Sequence, residues 1–257
     1  MTDRKNSQTP RVASYNIRKT RGLDQQYDPH RIIAVINRLN ADVVALQEAD
    51  HRLGQRPAAL SRALIEGETD FQVVPVAAND KSVGWHGNAV LVRRGVQADL
   101  VDRIDLPGLE PRGAVHVRVD LGHPVEIIAT HLGLLRRHRR RQLSTLAKQL
   151  KTHSHAIIVG DFNEWSFRRG LEPLAAGFDV HAPGRSFHAA RPLAALDRLA
   201  MTPALSVAAG GVLDDPTARR ASDHLPVWVD LQISAIGSPV GLQGGEIGKA
   251  PDARGLS

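Results

Sequence analysis

Two stretches of this chain repeat one order of apolar and polar positions. In the first, residues 12–17 are an apolar run that reads as a strand with Asn16 near its exit. Asp28-Pro29 then reads as an N-cap followed by proline in the first helical position, and Ile32, Ile33, Ile36 and Leu39 recur at helical spacing as far as Asn40. A buried strand over 42–46 follows and delivers Gln47 and Glu48. In the second stretch a strand over 125–129 ends at His131, Leu143, Leu146 and Leu150 carry a helix over 135–150, and 156–159 form a strand closed by Gly160 and Asp161. The same 32 positions separate Asn16 from Glu48 and His131 from Asn163.

At the end of the last strand the glycine permits a tight turn as Asp161 and Asn163 emerge. Alternate residues of extended chain face one way, so a carboxylate and a carboxamide are expected side by side. Between the two units, 71–77, 88–93, 100–104 and 114–119 read as strands, with turns at Asn79-Asp80 and Pro107-Gly108 and short helices over 57–66 and 167–176. The pattern predicts an α/β chain with two sheets packed face to face and helices outside, a four-layer α/β/β/α sandwich that brings both sets of strand ends to one rim.

Length and composition restrict the picture further. The 257 residues suit one large domain, placed over 11–233, with a polar N-terminus (1–10) and a Gly-rich tail (234–257) expected to be disordered. The absence of cysteine excludes disulfides and thiolate metal sites and suits a reducing compartment. The first residues contain no apolar signal-like region, and no apolar run is long enough to span a bilayer, so a soluble, cytoplasmic protein is expected. The formal charge of +6 favours polyanionic partners, whereas an aromatic content of 4% gives no evident platform for stacking bases.

The polar residues at the strand ends form a chemical set. Hydrolysis of a phosphodiester must neutralise charge on a pentacoordinate transition state and activate water, which suits a hard divalent cation together with an imidazole. Glu48, Asp161, Asp197 and Asp223 supply carboxylates, Asn16 and Asn163 amides, and His131 and His224 imidazoles. Carboxylate and amide donors suit Mg²⁺ (or Mn²⁺) better than Zn²⁺.

Six segments carry a resemblance to a known family: Ser14-Tyr-Asn-Ile-Arg18, Leu46-Gln-Glu48, Thr130-His-Leu132, Gly160-Asp-Phe-Asn163, Leu196-Asp-Arg198 and Ser222-Asp-His-Leu-Pro226. Each is expected to place an acid, amide or histidine at or near the end of a strand-like run. In this order, from about Val12 to Val229, they resemble the metal-dependent endonuclease/exonuclease/phosphatase superfamily, whose fold is deoxyribonuclease I-like. The resemblance implies that Glu48 is the principal metal ligand with Asn16 and Asp223 in or near its shell. Asp161 and Asn163 match the pair that positions the attacking water and the scissile phosphate. His224 matches the general base or phosphate stabiliser, oriented by Asp197, and it shares water activation with Asp161. His131 matches a group that protonates the leaving oxygen or binds the phosphate, and Arg112 resembles a phosphate-contacting arginine. Asn88 is assigned no catalytic role.

The resemblance implies an Mg²⁺-dependent phosphodiester hydrolase. The basic balance favours a nuclease acting on nucleic acid. A phospholipid or small-molecule phosphodiesterase or phosphatase is the second expectation, and a non-catalytic phosphate-binding protein the third. Five arginines over 136–141 begin the second helix, where positive charge opposes the macrodipole unless an anion compensates. The run reads either as a solvated helix face or as a strip that meets nucleic-acid phosphates or, peripherally, an anionic membrane.

Overall fold

A computed structural model of the protein describes residues 9–234. Its elements in chain order are β1 (Arg11–Asn16), α1 (Pro29–Leu39), β2 (Val43–Gln47), α2 (Arg62–Glu68), β3 (Phe71–Val73), β4 (Ala89–Arg93), β5 (Ala98–Leu106), β6 (Arg112–Asp120), β7 (Pro124–His131) and α3 (Arg136–Gln149). They continue with β8 (Ala156–Asp161), β9 (Asp179–His181), β10 (Asp197–Met201), β11 (Leu205–Val212), α4 (Pro216–Ala221) and β12 (Val227–Ile233). One sheet has the order β11-β12-β1-β2-β4-β3 and the other β5-β6-β7-β8-β10-β9.

The recurring unit sits at the centre of each sheet. β1 and β2 are parallel and joined through α1; β7 and β8 are parallel and joined through α3. Antiparallel strands flank each pair, β12 and β4 in one sheet and β6 and β10 in the other. The central strands are apolar on both faces because both are covered. Val43 and Ala45 of β2 point to the core between the sheets, where Ile157 and Val159 of β8 meet them. Val44 and Leu46 pack outward on Ile32 and Ile36 of α1, and Ile158 packs on Leu143 and Leu146 of α3. The result is the expected α/β/β/α sandwich.

Local chemistry sets the helix ends. Asp28 accepts a hydrogen bond from the Arg31 N–H as N-cap of α1, and Asn40 takes the left-handed conformation that ends it. Several expected bounds shift. The strand expected over 71–77 stops at Val73, two residues before Pro75, and the helix expected over 57–66 starts only after its cap, Ser61. Within 167–176 the backbone makes a single 3-10 turn, Glu172–Leu174. Of the ends expected to be disordered, residues 1–8 and 235–257 lie outside the described residues. Pro10 and Ser234 are hydrogen bonded, through Leu231 N to Pro10 O and Ser234 N to Ala204 O. Among the described residues, no helix is long and apolar enough to cross a membrane.

Candidate active site

Strand register assembles the site. Parallel pairing makes both strands of each unit exit at one end, with Asn16 beside Gln47 and His131 beside Asp161. β10 runs antiparallel on the other side of β8 and sets Asp197 opposite Asp161. His131, Asp161 and Asp197 therefore form one row across three strands. β12 starts beside β1, with Val227 opposite Ser14, so the α4–β12 link delivers Asp223 and His224 to the same end. Asn16, Glu48, Arg112, His131, Asp161, Asn163, Asp223 and His224 line one cleft of about 470 Å³, and Asp197 lies buried behind His224.

Three local expectations are corrected here. Gly160 does not make a tight turn: a Cβ there would stand 1.8 Å from Thr130 O, so glycine permits the close approach of β7 and β8. Asp161 and Asn163 are not neighbours through strand alternation. Asn163 is left-handed (φ +52°) and its N–H donates to Asp161 Oδ1 at 2.9 Å, while its Nδ2 donates to Leu132 O. Asp197 opens β10, and Asp223 and His224 lie on a link, so these three do not end strands.

Asp161 is the centre of the polar cluster. Its Oδ2 accepts from Asn16 Nδ2 at 3.1 Å and stands 3.3 Å from His131 Nε2 and 3.6 Å from His224 Nε2. On the far side of the imidazole, His224 Nδ1 and Asp197 Oδ2 are 2.8 Å apart, and Ser186 Oγ donates to the same carboxylate oxygen. Burial works against charge on His224, but Asp197 and Asp161 outweigh it and push its pKa up to about 10. Burial raises the Asp161 carboxyl above the usual carboxylate range, with the His224 charge opposing. Burial and then the Arg112 guanidinium hold His131 well below the ordinary histidine value, so its ring is neutral at pH 7. The cluster thus carries one imidazolium, one neutral imidazole and a carboxylate between them.

Glu48 and Asp223 form the second part. Glu48 has φ +54°, and Arg18, Lys19 and Thr20 opposite it are also left-handed, so uncommon backbone conformations concentrate at the mouth. Lys19 Nζ and Arg52 Nη2 pair with the Glu48 carboxylate, and Arg18 Nε lies 3.4 Å from Asp223 Oδ2. Burial would raise the Glu48 pKa, but the Lys19 hydrogen bond and charge bring it below its ordinary value. The donor set fits a hard divalent cation: the Glu48 and Asp223 carboxylates and the Asn16 carboxamide line one cleft, and the cations paired with the two acids, Lys19, Arg52 and Arg18, are partly exposed side chains. Asp161, Asp197 and His224 also have ligand atoms within 4.8 Å of one another, but two of these are engaged in the His–Asp pair.

Arg112 is both a salt-bridge partner and a cleft residue; its Nε and Nη2 donate to Glu110 Oε2 at 3.2 and 2.8 Å. Asn88 donates to the Gly113 and Trp85 carbonyls, a backbone-satisfying role. The arginine run divides. Arg136 and Arg139 converge on the buried carboxylate of Glu164 at 2.7–2.9 Å, so the anion required at the start of α3 comes from the protein itself. Arg137, Arg140 and Arg141 line a separate open groove with Lys148.

Several cleft residues were not singled out from sequence. Arg52, four positions after Glu48, is a detectable signal; Lys19, in the short 3-10 turn Arg18–Thr20, and Phe187, whose ring lies 4.9 Å from that of His224, carry no pattern, nor does Ser186, buried behind the cleft on Asp197. Despite the low aromatic content, three rings, Tyr27, Trp165 and Phe187, line the cleft.

Comparison with known proteins supports the same conclusion. The model of the Endonuclease/Exonuclease/phosphatase family matches residues 13–224. An uncharacterised Escherichia coli (strain K12) protein, YbhP, is 33% identical over 164 residues, covering 58% of this chain and 64% of the relative; the match thus spans less than two thirds of that relative's length. The crystal structure of an endonuclease/exonuclease/phosphatase from Beutenbergia cavernae DSM 12333 superposes with a TM-score of 0.68 at 25% identity, over 91% of this chain and 73% of that one. A mannosyl-6-phosphatase from Bacteroides thetaiotaomicron VPI-5482 shares the fold, with a TM-score of 0.64 at 19% identity over 87% of this chain and 100% of that one.

Proposed function

The chain belongs to the endonuclease/exonuclease/phosphatase family, and on that premise we propose that it is a metal-dependent phosphodiester hydrolase acting by direct attack of water. The observation that carries this reading is the Asp161 carboxylate set between His131, Asn16 and an imidazolium that is itself held by Asp197. Glu48, with Asn16 and Asp223, would hold Mg²⁺ or Mn²⁺, which when bound polarises a phosphoryl oxygen and offsets its developing charge.

The remaining work falls to the chain. Asp161 accepts the proton of the attacking water, since it is the acceptor at the centre of the cluster and its raised pKa makes it a better base than an ordinary carboxylate. His224 is already protonated at neutral pH, so it stabilises negative charge on the phosphorane rather than serving as the base, and Asp197 fixes its orientation. Neutral His131 donates a hydrogen bond to a phosphate oxygen and is poorly suited to protonate a leaving group. Arg112 offers its planar fork to the same phosphate.

The test is hydrolysis of bis(p-nitrophenyl) phosphate beside plasmid DNA, RNA, phospholipid and phosphorylated sugars, each with Mg²⁺, Mn²⁺ or excess chelator. Activity on at least one phosphodiester is expected with metal. Activity that survives chelation, or an Asp161→Asn variant that keeps wild-type turnover, would refute the mechanism.

A further inference from the structure

The exposed apolar side chains are not spread over the molecule. The described residues leave nine large ones exposed: Tyr27, Leu53, Val101, Leu109, Leu134, Leu135, Trp165, Phe167 and Leu193. Only Val101, on β5, lies within a strand. The other eight, between 47% and 84% exposed, occupy six connections that all meet the cleft end. These are the links leaving β1, β2, β7 and β8, the β5–β6 turn, which leads into the cleft residue Arg112 at the start of β6, and the link entering β10 beside Asp161. Tyr27, Leu134 and Trp165 also line the cleft. The opposite end of the sandwich, with the β4–β5, β6–β7 and α3–β8 connections, exposes none. Soluble surfaces rarely gather apolar groups around one opening, and doing so marks an interaction face.

Charge in the same loops is sorted. Their acids are neutralised internally: Glu110 by Arg112, Glu164 by Arg136 and Arg139, Asp24 by Arg31 and Arg220. Arg168, Arg169 and Arg191, beside Phe167 and Leu193, are exposed and make no ion pair among the described residues. Five of the eight apolar groups are leucines, which cannot stack on bases as aromatic rings do but insert readily among acyl chains. Apolar side chains that reach below a headgroup layer, flanked by unpaired arginines at the level of its phosphates, match the chemistry of an anionic bilayer.

We propose that the cleft mouth is a membrane-docking face and that the substrate is a phosphodiester in the headgroup of an anionic phospholipid. The substrate claim rests on the hydrolase reading above; the docking claim does not. In the reaction, the oxygen of water bonds to phosphorus and one P–O ester bond breaks. The departing alkoxide takes up a proton, and the products are a phosphomonoester and an alcohol.

The experiment uses the full chain with vesicles of phosphatidylcholine, with and without phosphatidylglycerol, and reads co-sedimentation. The variants are Leu135→Ser/Phe167→Ser/Leu193→Ser and Arg168→Gln/Arg169→Gln/Arg191→Gln, none of which lines the cleft. Wild type should sediment with the anionic vesicles at physiological salt. The apolar variant should partition about tenfold less, and the arginine variant should lose its preference for phosphatidylglycerol. Both should turn over bis(p-nitrophenyl) phosphate as wild type does. The proposal is overturned if wild type ignores anionic vesicles, if the variants bind them equally well, or if the same substitutions weaken binding to a single-stranded oligonucleotide instead. Vesicle binding without turnover of any phosphodiester would support docking and reject the hydrolase, so the two failures are distinguishable.

Discussion

At the scale of single residues, the division of labour around Asp161 leads to a measurable asymmetry. Asp197 acts on the reacting region chiefly through His224, to which it lends orientation and charge, although its carboxylate also lies beside Asp161 and helps raise that carboxyl's pKa. His224→Ala should therefore lower turnover by roughly 10²–10⁴-fold, the usual range for a positioned proton-transfer or charge-stabilising group. Asp197→Asn should cost a comparable amount, and the double variant little more than His224→Ala alone, because residues that act as a unit are not additive. Multiplying losses in the steady-state kinetics would mean that Asp197 has work independent of His224. The same geometry explains why these two residues could be paired from sequence while their charge states could not. A motif supplies an imidazole and a carboxylate, but the shift in pKa depends on burial and on the third group, Asp161, that the fold brings within 3.6 Å.

At the scale of elements, α3 shows how a sequence signal can be correct in location and altered in meaning. Five arginines at a helix start require an anion, and that requirement was legible; its source, Glu164 on the loop after β8, was not, since nothing in sequence ties position 164 to 136 and 139. With Glu164 and Arg139 both buried, Glu164→Gln should destabilise the fold by about 3–5 kcal/mol, the range for breaking a buried ion pair from one side. Burial favours the neutral acid, but the two guanidinium groups outweigh it and hold the Glu164 pKa at about 2, below its ordinary 4.5. A depressed carboxyl contributes stability that is complete above the unfolded value and is lost as pH falls from about 4.5 through about 2. Wild type should thus lose this increment in acid whereas Glu164→Gln should not, and denaturant titrations at pH 7 and pH 3 compare them. Equal sensitivity to acid would show that the pair does not link to stability. The two β–α–β units were readable for a related reason. Their strands are covered on both faces and so form continuous apolar runs, and α1 carries its own cap at Asp28. β9 and β11 escaped because three-residue or Gly-containing edge strands lack that signature.

At the scale of the whole molecule, two similar halves meet so that one rim collects Glu48, Asp223 and His224 from one sheet and the row of His131, Asp161 and Asp197 from the other. Glu48 and Asp223 reach the cleft from different ends of the chain, each paired with arginine or lysine side chains. A divalent cation that displaced them would tie the β2 exit to the α4–β12 link and would stabilise the folded chain by mass action. At a hundred times the dissociation constant this amounts to about 2.7 kcal/mol. For a domain of this size each kcal/mol moves the melting temperature by roughly 2–4 °C, so saturating Mg²⁺ or Mn²⁺ should raise Tm by roughly 5–10 °C. Glu48→Gln should abolish most of the increase without lowering the metal-free Tm by more than a few degrees, because its partners Lys19 and Arg52 remain solvent-accessible and can rehydrate. Calorimetry with and without metal reads this independently of any substrate. An equal shift in Glu48→Gln would separate Glu48 from the metal and point to the Asp161, Asp197 and His224 group among the described residues, whereas an unchanged Tm at saturating metal would remove the metal site altogether.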